Sequence, residues 1–188
     1  MLKAIPEFDR YVMITGFRDA KIDDLNSFLD QIKNRIPPNV SVQFFDAERV
    51  AGWQHLFFAA YNALLSMKQK RAISKSLSME ILLYASAQHQ IKRATEIIGI
   101  TSKSSRIAVI IVNSKASRAK QALSAISQHV KVLPDESVLE LDTRKIGTIR
   151  KTFRITDNEL KATETGRNLC RVVTDLIIER MALLATRH

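Results

Sequence analysis

The sequence holds one cysteine, five glycines and four prolines among 188 residues. A lone Cys170 excludes an intramolecular disulfide and a CxxC metal site. It lies in an apolar helical pattern, where a thiol serves as a small hydrophobe. Scarce glycine and proline exclude a linker or a low-complexity segment. No apolar run approaches the roughly 20 residues needed to cross a bilayer. The opening Met1–Asp9 carries acids early and no small-residue cleavage site, so a secretory signal is not expected and a cytoplasmic location is. Catalytic signatures are missing: there is no GxGxxG, Walker lysine loop, HExxH or GxSxG. His55, His89, His129 and His188 lack metal-ligand spacing, and no cofactor is expected. Acidic residues are also short. Nineteen Asp and Glu face 29 Lys and Arg, a net charge of +10, with a pI of about 9.9. That surplus points to RNA, DNA or an acidic protein surface as partner.

What is present is a 46% hydrophobic chain of a length that suits a single domain, 1–188. Its pattern switches repeatedly between strand and helix periods. Tyr11–Phe17 and Val40–Phe45 read as strands. Arg106–Val112 is a continuous β-branched run suited to burial on both faces. In 21–35, Ile22, Leu25, Phe28, Leu29 and Ile32 recur at helical spacing before Pro37-Pro38. Asp46 is expected to cap a long helix reaching about Gln69. Met79–Ser86 reads as a further strand, Gln88–Ile98 as a short helix ending at Gly99, and 115–127 as another. Thr156-Asp-Asn-Glu159 is a capping box opening a helical C-terminus that reaches about Leu184, with a break at Gly166. The alternation predicts an α/β (α+β) fold, several helices packed on a small sheet.

Two segments suggest contacts. Lys68, Lys70, Arg71 and Lys75 have no acidic neighbour until Glu80. One cation at a helix C-terminus is worth about 0.3–1 kcal/mol through the macrodipole, but that account does not need four. Phosphate contact is the better reading, with Lys92 and Arg93 as extensions of the same patch. Arg144–Arg154 is basic too, but its cations alternate with Ile146, Ile149 and Phe153 as on the wet face of a helix. The 46–69 helix is apolar on more than one face. Val50, Trp53, Phe57, Ala60 and Leu64 form one stripe, and Leu56-Phe57-Phe58 spans roughly 200° of the circumference. Either other helices cover it or part of it meets a partner. His55 and Glu80 each interrupt an apolar stretch. They read as a structural polar pair, or as the acid–base pair of a small enzyme.

The ordered residues resemble the small accessory subunit of the KEOPS complex, the TPRKB-like family of kinase-binding, tRNA-recruiting proteins. The likeness runs through Asp46-Ala, Ala51-Gly-Trp-Gln-His55-Leu, Ala59-Ala-Tyr-Asn62-Ala63 and Ser76-Leu-Ser-Met-Glu80-Ile-Leu-Leu-Tyr-Ala-Ser86. It continues through Gln90-Ile91, Ile98-Gly99-Ile100, the Arg106–Val112 strand and Ile155-Thr-Asp-Asn-Glu159-Leu160. This resemblance implies a mostly antiparallel or mixed sheet and a non-catalytic subunit, not an enzyme. Such a subunit binds the atypical kinase/ATPase of the complex. It also recruits tRNA, including the 3′ CCA end, for threonylcarbamoyladenosine modification next to the anticodon. The kinase interface is then expected on the second and last helices, at Leu56, Phe58, Leu169, Val172, Leu176, Arg180 and Leu183. No membrane partner is expected. Two rivals stand beside this reading: an independent basic RNA-binding regulator, and the small enzyme using His55 and Glu80.

Overall fold

A computed structural model describes residues 1–163 and 168–186. Its four strands are β1 (Leu2–Ile5), β2 (Arg10–Phe17), β3 (Ser41–Asp46) and β4 (Ile107–Asn113). They form one antiparallel sheet in the order β1-β2-β4-β3. Every residue of β4 is buried, as a β-branched run between two helical layers requires. Alternate side chains serve the two faces. Ala108, Ile110 and Val112 join Val12, Ile14 and Phe45 in one cluster. Ile107, Val109 and Ile111 join Met13, Phe17 and Phe44 in the other.

The second cluster is closed by α1 (Leu25–Arg35) and α5 (Ala116–Val130), through Phe28, Ile32, Ala119, Ala122 and Ile126. The first lies under the remaining helices. These are α2 (Gly52–Lys68), α3 (Leu77–Ser86), α4 (Ile91–Ile98), α6 (Thr143–Phe153), α7 (Asp157–Thr163) and α8 (Leu169–Thr186). Capping carboxylates set several starts. Asp24 accepts from the Ser27 amide at 2.6 Å, and Asp142 from the Arg144 and Lys145 amides. Thr156 and Glu159 exchange the two bonds of a capping box at the head of α7. The break expected at Gly166 lies outside the described residues.

Two expectations need correction, and one strand goes unread. Met79–Ser86 belongs to a helix, not a strand. Glu80 through Ser86 are all buried, because α3 lies among α2, α4, α8 and β3. A run apolar on every side has no period to read. Its Met, Glu, Leu and Ala content is the remaining signal, since these are strong helix formers. Asp46 caps only a short 3₁₀ turn, Ala47–Arg49. Gly52, at φ +90°, then redirects the chain into α2. Finally, the sequence pattern does not reveal β1. It pairs with β2 from Leu2↔Met13 to Ile5↔Arg10. One glycine is needed for close approach. A Cβ on Gly16 would sit 2.1 Å from Val138 Cγ2, where the Glu136–Leu139 turn crosses β2.

Candidate interaction surfaces

The polar pair of the core is fully engaged, and not with each other. His55 is completely buried. Its Nδ1 accepts from the Ala51 amide at 3.2 Å. Nε2 therefore carries the proton and donates to the Ala85 carbonyl at 2.7 Å. His55 thus ties the start of α2 to the end of α3, with the Phe153 ring edge-on at 5.5 Å. Glu80, equally buried, instead accepts from Ser66 Oγ and from the Ile73 and Ser74 amides. The expected His55–Glu80 pair is not formed. The acid–base reading loses its geometry, since each group is spent on backbone or hydroxyl partners.

Burial pushes His55 down from 6.5 to about 4. The ring stays neutral when folded, and the unfolded chain binds the extra proton between those values. Stability from this group is therefore present above pH 6.5 and lost as pH falls toward 4, by about 3 kcal/mol in all. Thermal melts of wild type and His55→Gln check this. The wild-type melting temperature should fall more steeply across pH 6.5–4, and the difference between the two isolates His55 from other titrating groups.

The predicted cations divide into two places. The C-terminus of α2 ends in a Schellman turn: the Lys70 amide donates to Met67 O and the Arg71 amide to Ser66 O. Lys70 takes the left-handed position at φ 58°. The turn carries Lys70 and Arg71 outward, with Lys75 exposed farther along the loop. Among the described residues, none of the three forms an ion pair. Lys68 is held more closely. Its Nζ donates to the Glu7 carbonyl at 3.1 Å and lies 5.4 Å from the Phe8 ring centroid. Lys68 and Lys75 line one cleft of about 820 Å³ at the end of the sheet, beside Phe8, Arg10, Ser41 and Asn113.

Lys92 and Arg93 do not extend this loop. The ten residues of α3, about 15 Å of helix, run between them and Lys75. Both are exposed near the start of α4, and Arg93 pairs with Glu96 at 3.1 Å. Arg93 lines a separate cleft with Arg154, Arg180 and Leu183.

The expected interface residues also divide. Leu56, Val172 and Leu176 are core, at 0, 1 and 8% exposure, because they form the inward stripes of α2 and α8. They cannot meet a partner while the fold is intact. Phe58, Leu169 and Leu183 remain exposed at 40, 39 and 48%. Arg180 is committed internally, to the Glu159 carboxylate and the Arg154 carbonyl. The bonds from Thr156 and that pair hold Glu159 down to about 2.

Around Phe58 the surface is more aromatic than the sequence reading gives it. Half-buried Trp53 and Phe57 stack edge-on at 6.2 Å, and Phe57 meets Phe58 at 6.1 Å. Lys3 Nζ lies 4.2 Å from the Trp53 ring centroid. Trp53 and Phe58 border a cleft of about 1010 Å³ between the starts of α2 and α8. Its apolar wall includes Leu141 and Ile178, and its lining carries both signs of charge: Glu140, Asp175 and Arg171, with Glu136 paired to the Met1 ammonium. Helical spacing groups Trp53 and Phe57 with the buried Val50 and Ala60, yet both reach the surface. The 100° step between Leu56 and Phe57 decides which is inside, and only the packing of α3 and α8 sets that phase.

No group of His, Cys, Asp and Glu among the described residues could hold a metal ion. No helix among them is long and apolar enough to cross a membrane. An α+β fold with a basic loop at one end of α2 and an aromatic-walled cleft at the other is the frame of a contact-making protein. The family model described as kinase binding protein CGI-121 matches residues 20–185. The regulatory protein Cgi121 of Methanocaldococcus jannaschii is 33% identical over 144 residues, covering 77% of this chain and 85% of that protein. The chain belongs to the CGI-121 family of kinase-binding proteins, the family that its 46–112 segment resembles.

Proposed function

We propose that this protein is a non-catalytic accessory subunit of a KEOPS-type complex, with a kinase/ATPase subunit on one surface and tRNA on another. The observation that carries this is the separation of two chemically different surfaces along α2. The cleft at its N-terminal end offers Trp53, Phe58, Leu141 and Ile178 within a polar rim of mixed charge that includes Glu140, Arg171 and Asp175. Aromatic anchors ringed by polar groups suit a stable protein partner, here one presenting apolar side chains. The loop at its C-terminal end offers Lys70, Arg71 and Lys75, which form no ion pair among the described residues. They suit the phosphates of RNA. The adjoining cleft, with Phe8, Lys68 and Lys75, suits a single-stranded 3′ end whose bases are unstacked. The family membership and the relative's regulatory name support the kinase half of this reading. The tRNA half rests on the charge and on the family resemblance.

Co-purification with the kinase subunit, and titration with tRNA at several salt concentrations, test the two halves separately. A complex stable to gel filtration and a steep salt dependence are expected. tRNA lacking its terminal CCA should bind more weakly than intact tRNA. Equal affinity for the two would remove the 3′ end from the reading while leaving the basic loop in it.

A further inference from the structure

We infer that Glu80 is a positioning residue for RNA binding: a buried carboxylate that holds the Gln69–Ser76 loop in the shape that presents its cations. The inference rests on the proposed role of that loop. Glu80 lies on α3 and has no exposure to solvent, yet its side chain bonds to the α2 end and the loop. Oε1 accepts from Ser66 Oγ at 3.2 Å and from the Ile73 amide at 3.2 Å. Oε2 accepts from the Ser74 amide at 2.7 Å. A buried carboxylate is costly unless its lone pairs are filled, and here loop amides fill them. Those two amides lie between Arg71 and Lys75, so the anchor fixes the segment joining the cations. On one side, the Schellman turn fixes Lys70 and Arg71. On the other, the Ser76 amide donates to Ser74 Oγ at 3.1 Å. Without the Glu80 carboxylate, the segment between these points is cut loose from the α3 side chain that anchors it. The cations would remain in the chain but lose their common arrangement. Binding would then bear the entropy of ordering the loop. The carboxylate also occupies the Ile73 and Ser74 amides, so those two are not open to a phosphate.

Glu80→Gln is the direct test. Glutamine keeps the shape but has one acceptor oxygen, so in either orientation its NH₂ must face a loop amide, that of Ile73 or of Ser74. Three quantities are measured: exchange of the Ile73 and Ser74 amides, tRNA affinity at several salt concentrations, and association with the kinase subunit. The expected result is faster exchange confined to the loop, about tenfold weaker tRNA binding and a salt slope lower by about 0.7 for each phosphate that the loop no longer neutralises. Kinase association should be unchanged, which a general loss of structure would not allow. Loop amides that exchange faster while affinity and slope stay at wild-type values would overturn the inference, as would a loop left unmoved. If E80Q does not fold, Ser74→Pro replaces it. Proline removes the 2.7 Å bond from the loop side, together with the Ser74 Oγ that accepts from the Ser76 amide, and leaves the Glu80 side chain in place. Exchange of the Ile73 amide, tRNA affinity with its salt slope, and kinase association then decide in the same way. Failure of the RNA reading itself shows elsewhere, as wild-type tRNA affinity in a protein whose loop cations are reversed.

Discussion

Reversing Lys70, Arg71 and Lys75 to Glu is expected to weaken tRNA binding at least about fifty-fold at physiological salt. Each cation that meets a phosphate of a single strand adds about 0.7 to the salt slope. Losing three lowers the slope by about 2, which near 0.15 M salt corresponds to between one and two decades of affinity. Reversal adds repulsion to that loss. The fold should be unaffected. All three side chains are exposed and none forms an ion pair among the described residues, so the melting temperature should move by no more than about a degree or two. Lys68 is left out of this variant on purpose. It is tied to Glu7 and Phe8, and its loss would mix packing with charge. Binding isotherms at several salt concentrations check the result. An unchanged slope would mean that these cations touch no phosphate.

Lys92→Glu with Arg93→Glu is the natural comparison, because the two groups of cations look alike in the sequence. Linear order places Lys75 and Lys92 at the two ends of one apolar segment, and that much is legible. Which surface each end faces is not. That depends on α3 being a helix buried on all sides, and a run with no polar face carries no period. The central strand β4 is legible because β-branched residues without interruption have few other places to go. The capping box at Thr156 is legible because it is a purely local device. Helix ends are harder. Four of them, at Lys70, Ala87, Lys131 and Arg154, are closed by a left-handed residue that is not glycine. Each costs about 1–2 kcal/mol relative to glycine. A chain with five glycines hides the usual stop signal.

The same limit explains His55 and Glu80. That each needs a partner follows from burial alone. That the partners are the Ala51 amide and Ala85 carbonyl for one, and the Ser66 hydroxyl and loop amides for the other, requires knowing that α2 and α3 pack side by side. An acid and a base in apolar surroundings invite a catalytic reading. Here each is satisfied by backbone groups or a hydroxyl, so the two are structural ties. An enzyme site built on them would need a contact between them that the packing does not make.

Phe58→Asp is expected to abolish stable association with the kinase subunit while leaving the protein folded. Phe58 is 40% exposed, so a carboxylate there stays in water in the free protein. In the complex the same carboxylate would be buried in the cleft that Trp53, Leu141 and Ile178 line. Removing an aromatic anchor costs about 2 kcal/mol or more, and each 1.4 kcal/mol is tenfold in affinity. The buried, unpaired charge adds to that. A weakening of at least about a hundredfold follows, mostly as faster dissociation. Val173→Asp supplies the contrast. Val173 has no exposure in the free chain, so its carboxylate would destabilise the fold by several kcal/mol, and association would fail because the protein unfolds. Circular dichroism and gel filtration separate the two cases. Arg180→Glu would not, since Arg180 already binds Glu159 and the Arg154 carbonyl, and its reversal strains the joint between α7 and α8. A folded Phe58→Asp protein that still binds the kinase with wild-type lifetime would move the interface away from the α2 cleft. The exposed Leu183 at the far end of α8 would then be the next surface to test.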